Sequence, residues 1–176
     1  MMQADLFSLL RDKTIIAILD GDTKFEDYIF ESGSTIKISM PYLSGPDLCS
    51  LSTLFGLPAT YSWGGGTLSR WQYLDNLLEH CIKNKKCSDL LSHMFSKSQF
   101  SKILSGYGSS EIEVAYKTIV STIIEKINGV LYFGGNELLI AGNSFIIRPI
   151  GSKVEIIAPT IKTIDREYIK SISSRA

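Results

Sequence analysis

Between Gly129 and Val130 the hydrophobic period of this chain changes, and that change limits the folds open to it. Across residues 110–128, Ile112, Ala115, Ile119, Ile123 and Ile127 recur every three or four positions, the spacing of one buried helix face, and Gly129 stands where a helix cap belongs. Downstream the period falls to about two. Residues 130–133, 138–141, 145–150 and 154–158 read as short strands, separated by Gly134-Gly135-Asn136, Gly142-Asn143 and Gly151-Ser152, which is hairpin chemistry. The expectation is an α+β fold: a helical N-terminal two-thirds packed on a C-terminal antiparallel β-meander, with Pro149 at an edge or strand end.

The helical part has its own punctuation. Residues 4–10 read as a short helix on the spacing of Leu6, Leu9 and Leu10. Residues 14–19 (TIIAIL) fit either a strand, by their β-branched run, or a continuation of that helix, stopped by Asp20-Gly21. Residues 35–40 alternate as a strand and end at Pro41. Ser44-Gly45-Pro46-Asp47 has the chemistry of a helix start, with Ser44 or Gly45 as cap, and Gly56 with Pro58 has that of a helix stop. Leu68, Trp71, Leu74, Leu77, Leu78 and Cys81 place one apolar stripe on a helix over 67–82. Two shorter helices are expected over 87–95 and 97–104. After Pro159 the pattern is helical again, with Asp165 as cap and Ile164, Tyr168, Ile169 and Ile172 on one face.

Composition excludes several classes. The chain has 176 residues, 44% of them hydrophobic, enough for a sizeable core. Eighteen basic residues balance eighteen acidic ones, which argues against a protein that coats nucleic acid. No apolar run reaches the roughly 18 residues needed to span a bilayer, and residues 1–12 lack the pattern of a signal peptide. Three cysteines do not make a disulfide framework and read as reduced thiols. A cytoplasmic protein without membrane partners is expected.

Five constellations have residue types that could carry chemistry. His80, Cys81, Cys87 and His93, with Cys49 remote, lack the paired spacing of a zinc quartet, so no metal is expected and buried thiols explain the cysteines. The loop Trp63-Gly64-Gly65-Gly66-Thr67, with Arg70 just after it, offers bare N–H groups and a cation to an anionic ligand. A surface loop accounts for the same residues, and the lysine of a phosphate loop is missing. Asp20, Asp22, Glu26, Asp27 and Glu31 could hold Mg²⁺, as in a metal-dependent nuclease, but read better as a solvated acidic surface. Lys83, Lys85 and Lys86, with Lys97 and Lys102, could meet RNA phosphates while Tyr107 stacks a base; a solvated surface is the plainer reading. No serine or cysteine lies in a nucleophile motif, so no catalytic residue and no cofactor is assigned.

The run Ala158-Pro159-Thr160-Ile161-Lys162-Thr163-Ile164-Asp165-Arg166-Glu167-Tyr168-Ile169 resembles a junction in bacterial abortive-infection (AbiJ-like) phage-defence proteins. The segments 127–138 and 142–145 (GNSF), which lead into it, and upstream 40–51 (MPYLSGPDLCSL) and 69–78 (SRWQYLDNLL), resemble the N-terminal domain of the same proteins. The resemblance implies an α+β sensing or regulatory domain over residues 1–159, then a linker and the start of a helix over 160–176 leading to a helical, HEPN-like effector. It implies a non-catalytic role under a phage-derived trigger, in partnership with that effector. The Arg and His pair of HEPN nucleases is absent, because Arg70 lies ten residues before His80. The unfinished apolar face after Asp165 leads to two further expectations: a natural chain that continues, and a homodimer.

Overall fold

The isoleucine stripe forms the axis of the core and runs further than its spacing predicts. The structure, a computed structural model, describes residues 8–62 and 68–151. In chain order its elements are a 3-10 turn Ser8–Arg11, α1 (Lys13–Leu19), β1 (Asp27–Ile29), β2 (Thr35–Lys37), α2 (Gly45–Leu54), α3 (Arg70–Lys83) and α4 (Cys87–Met94). A 3-10 turn Lys97–Phe100 leads into α5 (Ser101–Leu104), followed by α6 (Ser109–Leu131), a 3-10 turn Tyr132–Gly134, β3 (Asn136–Ala141) and β4 (Ser144–Pro149). The fold is α+β, with helices dominating the first two-thirds and two small antiparallel sheets, β1-β2 and β3-β4.

Helix α6 passes through Gly129 without stopping. Ile119, Ile123, Ile127 and Leu131 are all fully buried, and Leu131 extends the stripe by one more turn. Each such side chain contributes roughly 1.5–3 kcal/mol on burial, more than the ~1 kcal/mol that an interior glycine costs a helix. The strand expected over 130–133 is therefore the helix end and a turn, and the left-handed stop is Gly135, at φ +77°. Asn128 joins this helix to the hairpin. Its Nδ2 donates to the Leu138 carbonyl (2.9 Å) and its Oδ1 accepts from the Leu138 N–H (2.6 Å). The side chain thus does for β3 what a neighbouring strand would do. Of the expected meander, β3 and β4 pair from Asn136↔Pro149 to Ala141↔Ser144, with Pro149 at the strand end. The strand expected over 154–158 and the helix after Asp165 lie outside the described residues.

The ambiguous segment 14–19 is helix α1. Asp12 caps it by accepting from the Thr14 N–H (2.8 Å), and Ile15, Ile16, Ile18 and Leu19 are all buried. Burial on several sides against α3 and α6 overrides the strand preference of its β-branched residues. Of the helix expected over 4–10, the described part belongs to the 3-10 turn. The strand expected over 35–40 is shorter, Thr35–Lys37, and pairs with Asp27–Ile29. The turn between them needs Gly33, at φ +96°.

Ser44 caps α2 in a reciprocal pair with Asp47: the Asp47 N–H donates to Ser44 Oγ (3.2 Å) and the Ser44 N–H to the Asp47 carboxylate (3.0 Å). Helix α3 begins at Arg70, where Gln72 accepts from the Ser69 N–H (2.8 Å). Its buried face is Tyr73, Leu74, Leu77, Leu78 and Cys81, while Leu68 and Trp71 of the expected stripe stay exposed. The hairpin docks on α4 through stacked Phe95 and Phe145 rings (4.9 Å) and a bond from the Phe145 N–H to Ser92 Oγ (3.1 Å).

Candidate ligand groove beside the Arg70 knot

The first turn of α3 aims Arg70 back across the chain. Its Nε donates to the Leu43 carbonyl (2.6 Å), one terminal nitrogen to Asp22 Oδ1 (2.6 Å) and the other to the Asp20 carbonyl (2.7 Å). The Asp20 carboxylate lies 3.8 Å from the same guanidinium. The Tyr42 ring lies against it, with the guanidinium carbon 4.1 Å from the ring centre. A planar fork with several fixed donors suits this task, and a lysine would not. Gly21 lets the strands of the knot meet: a Cβ there would lie 2.6 Å from the Pro41 carbonyl oxygen, and its φ is +89°.

Asp20 is the unusual member. It is 1% exposed, so it does not join the solvated acidic surface expected of residues 20–31. Its Oδ1 accepts from the Asp22 N–H (3.0 Å), while Oδ2 has no hydrogen-bond partner. Burial pushes its carboxyl up to about 6, against the opposing pull of the Asp22 N–H and the Arg70 charge. Asp22 pairs with Arg70 and Asp27 with Lys37 (2.9 Å).

Tyr42 and Leu43 continue into a groove of about 930 Å³ between the 40–44 segment with α2 on one side and the end of α4 with α5 on the other. Leu19, Met40, Leu51 and Met94 give it an apolar floor. Tyr42 and Leu54 stand on its walls, 59% and 64% exposed. Its polar lining comes from His93, Gln99, Lys102 and hydroxyls including Ser50 and Ser101. Volume and lining suit a small organic ligand held by apolar contact and a few polar groups.

The residues singled out by sequence are distributed differently. Of the anion site, Trp63, Gly64, Gly65, Gly66 and Thr67 lie outside the described residues, and Arg70 spends its donors on the protein's own oxygens. Lys86 donates to the Phe55 carbonyl (3.1 Å) and Lys97 pairs with Glu113; Lys83 and Lys85 are exposed. Tyr107 does not present a free ring, since it stacks on Phe30 at 3.7 Å and its hydroxyl bonds Ser34 (3.0 Å). Cys49, Cys81 and Cys87 are buried free thiols, and burial pushes Cys81 up to about 11 and Cys87 to about 12. Among the described residues no group of three His, Cys, Asp or Glu converges as a metal site, and no helix is long and apolar enough to cross a membrane. The groove itself has no local sequence signature, because the contacts of Arg70 that build its wall span 27, 48 and 50 residues.

No protein-family model matches the chain, and neither a curated protein nor a solved structure matches it.

Proposed function

We propose that the chain is a non-catalytic sensing or regulatory domain of a bacterial abortive-infection defence protein. In this reading it works in the cytoplasm, takes a small trigger produced during phage infection, and passes the groove's occupancy to a C-terminal helical effector. The observation that carries the binding half is the groove itself. Its floor is apolar, and its aromatic wall is held by a cation engaged with the protein's own oxygens. That is the arrangement of a preformed recognition surface. The defence half rests on the resemblance of residues 158–169, 127–138, 40–51 and 69–78 to such proteins.

The test is a phage challenge of bacteria expressing the full natural protein, with Leu54→Glu as the groove variant. Leu54 is 64% exposed, so the charge blocks the groove without entering the core. The expected result is fewer plaques than in cells with an empty vector, and loss of that protection in the variant at an unchanged protein level. Equal plaque counts with and without the gene across a broad phage panel would overturn the defence reading. Full protection by Leu54→Glu would remove the groove from it.

A further inference from the structure

We infer that the groove takes a nucleoside monophosphate, its base stacked on Tyr42 and its phosphate paired with Lys102. This inference rests on the sensing role proposed above and names the ligand class of that same groove. The guanidinium of Arg70 lies over the Tyr42 ring, yet Tyr42 remains 59% exposed and lines the groove. An aromatic ring fixed in this way is a stacking platform for a heteroaromatic base. Other exposed aromatics differ in place: neither Trp71 nor Tyr132 lines the groove.

The polar groups of the groove match the rest of such a ligand. Lys102 lines it and makes no ion pair among the described residues, unlike Lys97 five positions earlier. Gln99 is an amide that can both donate to and accept from a base edge, and Ser50 and Ser101 offer hydroxyls to a sugar. The count of charges sets the size of the ligand. The groove presents one lysine, and its one carboxylate, Asp47, caps α2. One cation suits one phosphate, and the carboxylate disfavours a polyphosphate. One open ring suits one base. A polynucleotide needs a series of cations and platforms along its length, which this groove lacks.

The experiment is titration of the purified protein with adenosine, guanosine, cytidine and uridine monophosphates, followed by heat of binding and by backbone amide shifts. At least one should bind and shift the amides of residues 42–44 and 99–103. Tyr42→Ala should weaken it about tenfold, and Tyr42→Phe should not. Lys102→Gln lies on the surface and leaves the core untouched. It should weaken the monophosphate severalfold while leaving the parent nucleoside unchanged. Absence of binding by all four at millimolar concentration would overturn the inference, as would equal binding by Tyr42→Ala and wild type. Tighter binding of a single-stranded RNA oligomer, with a steep salt dependence, would replace the monomer by a polymer. If phage protection is present and sensitive to Leu54→Glu while the monophosphates fail to bind, the ligand class is wrong and the sensing role stands. If the monophosphates bind and protection is absent, the reverse holds.

Discussion

The guanidinium carbon of Arg70 lies 4.1 Å from the centre of the Tyr42 ring, so one cation both ties three chain segments together and backs the groove's aromatic wall. The contacts of that cation are unequal. Asp22 is half-exposed, and an ion pair with such a residue is worth little in water. The Leu43 and Asp20 carbonyls are met by a fork that lysine cannot reproduce. Asp22→Asn should therefore lower stability by less than about 1 kcal/mol, and Arg70→Lys by about 1–2 kcal/mol. Urea denaturation of the two variants checks the order.

Asp20 gives the fold a pH dependence of defined sign. Its carboxyl is pushed up from 3.8 to about 6 in the folded protein. Between those values the native state holds more of this proton than the unfolded chain does. The contribution of Asp20 to stability therefore falls as pH rises through that window, by up to about 1.4 kcal/mol per pH unit, and is flat above it. Asp20→Asn removes this slope. The stability of the variant relative to wild type should rise between pH 4 and pH 6 by on the order of 2 kcal/mol, then level off. A difference independent of pH would show that Asp20 titrates alike in both states.

Asn128 should be the most sensitive polar residue of the C-terminal half. Leu138 is 1% exposed, and both its backbone groups bond to the Asn128 amide. Asn128→Ala leaves a buried N–H and a buried C=O without partners, at about 2–4 kcal/mol. Hydrogen exchange at the Leu138 amide should accelerate in the variant by at least the corresponding factor.

This residue also shows what the sequence could and could not disclose. The isoleucine stripe made α6 legible and the glycine-rich turn made the β3-β4 hairpin legible, but the boundary between them was displaced. Leu131 fits both patterns, four residues after Ile127 and within an apparent alternation, and only tertiary burial decides between them. The cap of α2 was legible because Ser44, Pro46 and Asp47 are local to one turn. Strand β1 was not: Asp27-Tyr28-Ile29 is too short to show a period and is defined by its partner across Gly33. The groove was the least legible part. Arg70 looked available to a ligand because its acceptors at 20, 22 and 43 are invisible at its own position.

Two glycines at similar backbone angles should respond differently to the same change. Gly21 and Gly33 have φ of +89° and +96°, but a Cβ at Gly21 meets the Pro41 and Tyr42 backbone at 2.6 Å whereas one at Gly33 meets nothing within 4 Å. Gly33→Ala should cost about 1 kcal/mol, the conformational penalty alone. Gly21→Ala adds a backbone clash and should cost well over twice that or prevent folding. Thermal denaturation of both variants measures the gap.

The thiols should be inert in the native state. With Cys81 and Cys87 pushed up to about 11 and about 12 by burial, almost no thiolate exists at neutral pH. A thiol-disulfide reagent at pH 8 should label these two cysteines only as fast as the protein unfolds, and completely in denaturant. Rapid labelling of either in the native protein would place it at the surface.

Whether Arg70 serves the fold, and through Tyr42 the groove, is decided most directly by equilibrium urea denaturation of Arg70→Ala. Structural service predicts a loss of about 2–4 kcal/mol, because the Leu43 and Asp20 carbonyls and the buried Asp20 carboxylate all lose their cation. A transition superimposable on that of the wild type would mean that Arg70 is held by none of them and is available to an external anion, contradicting the groove wall described above.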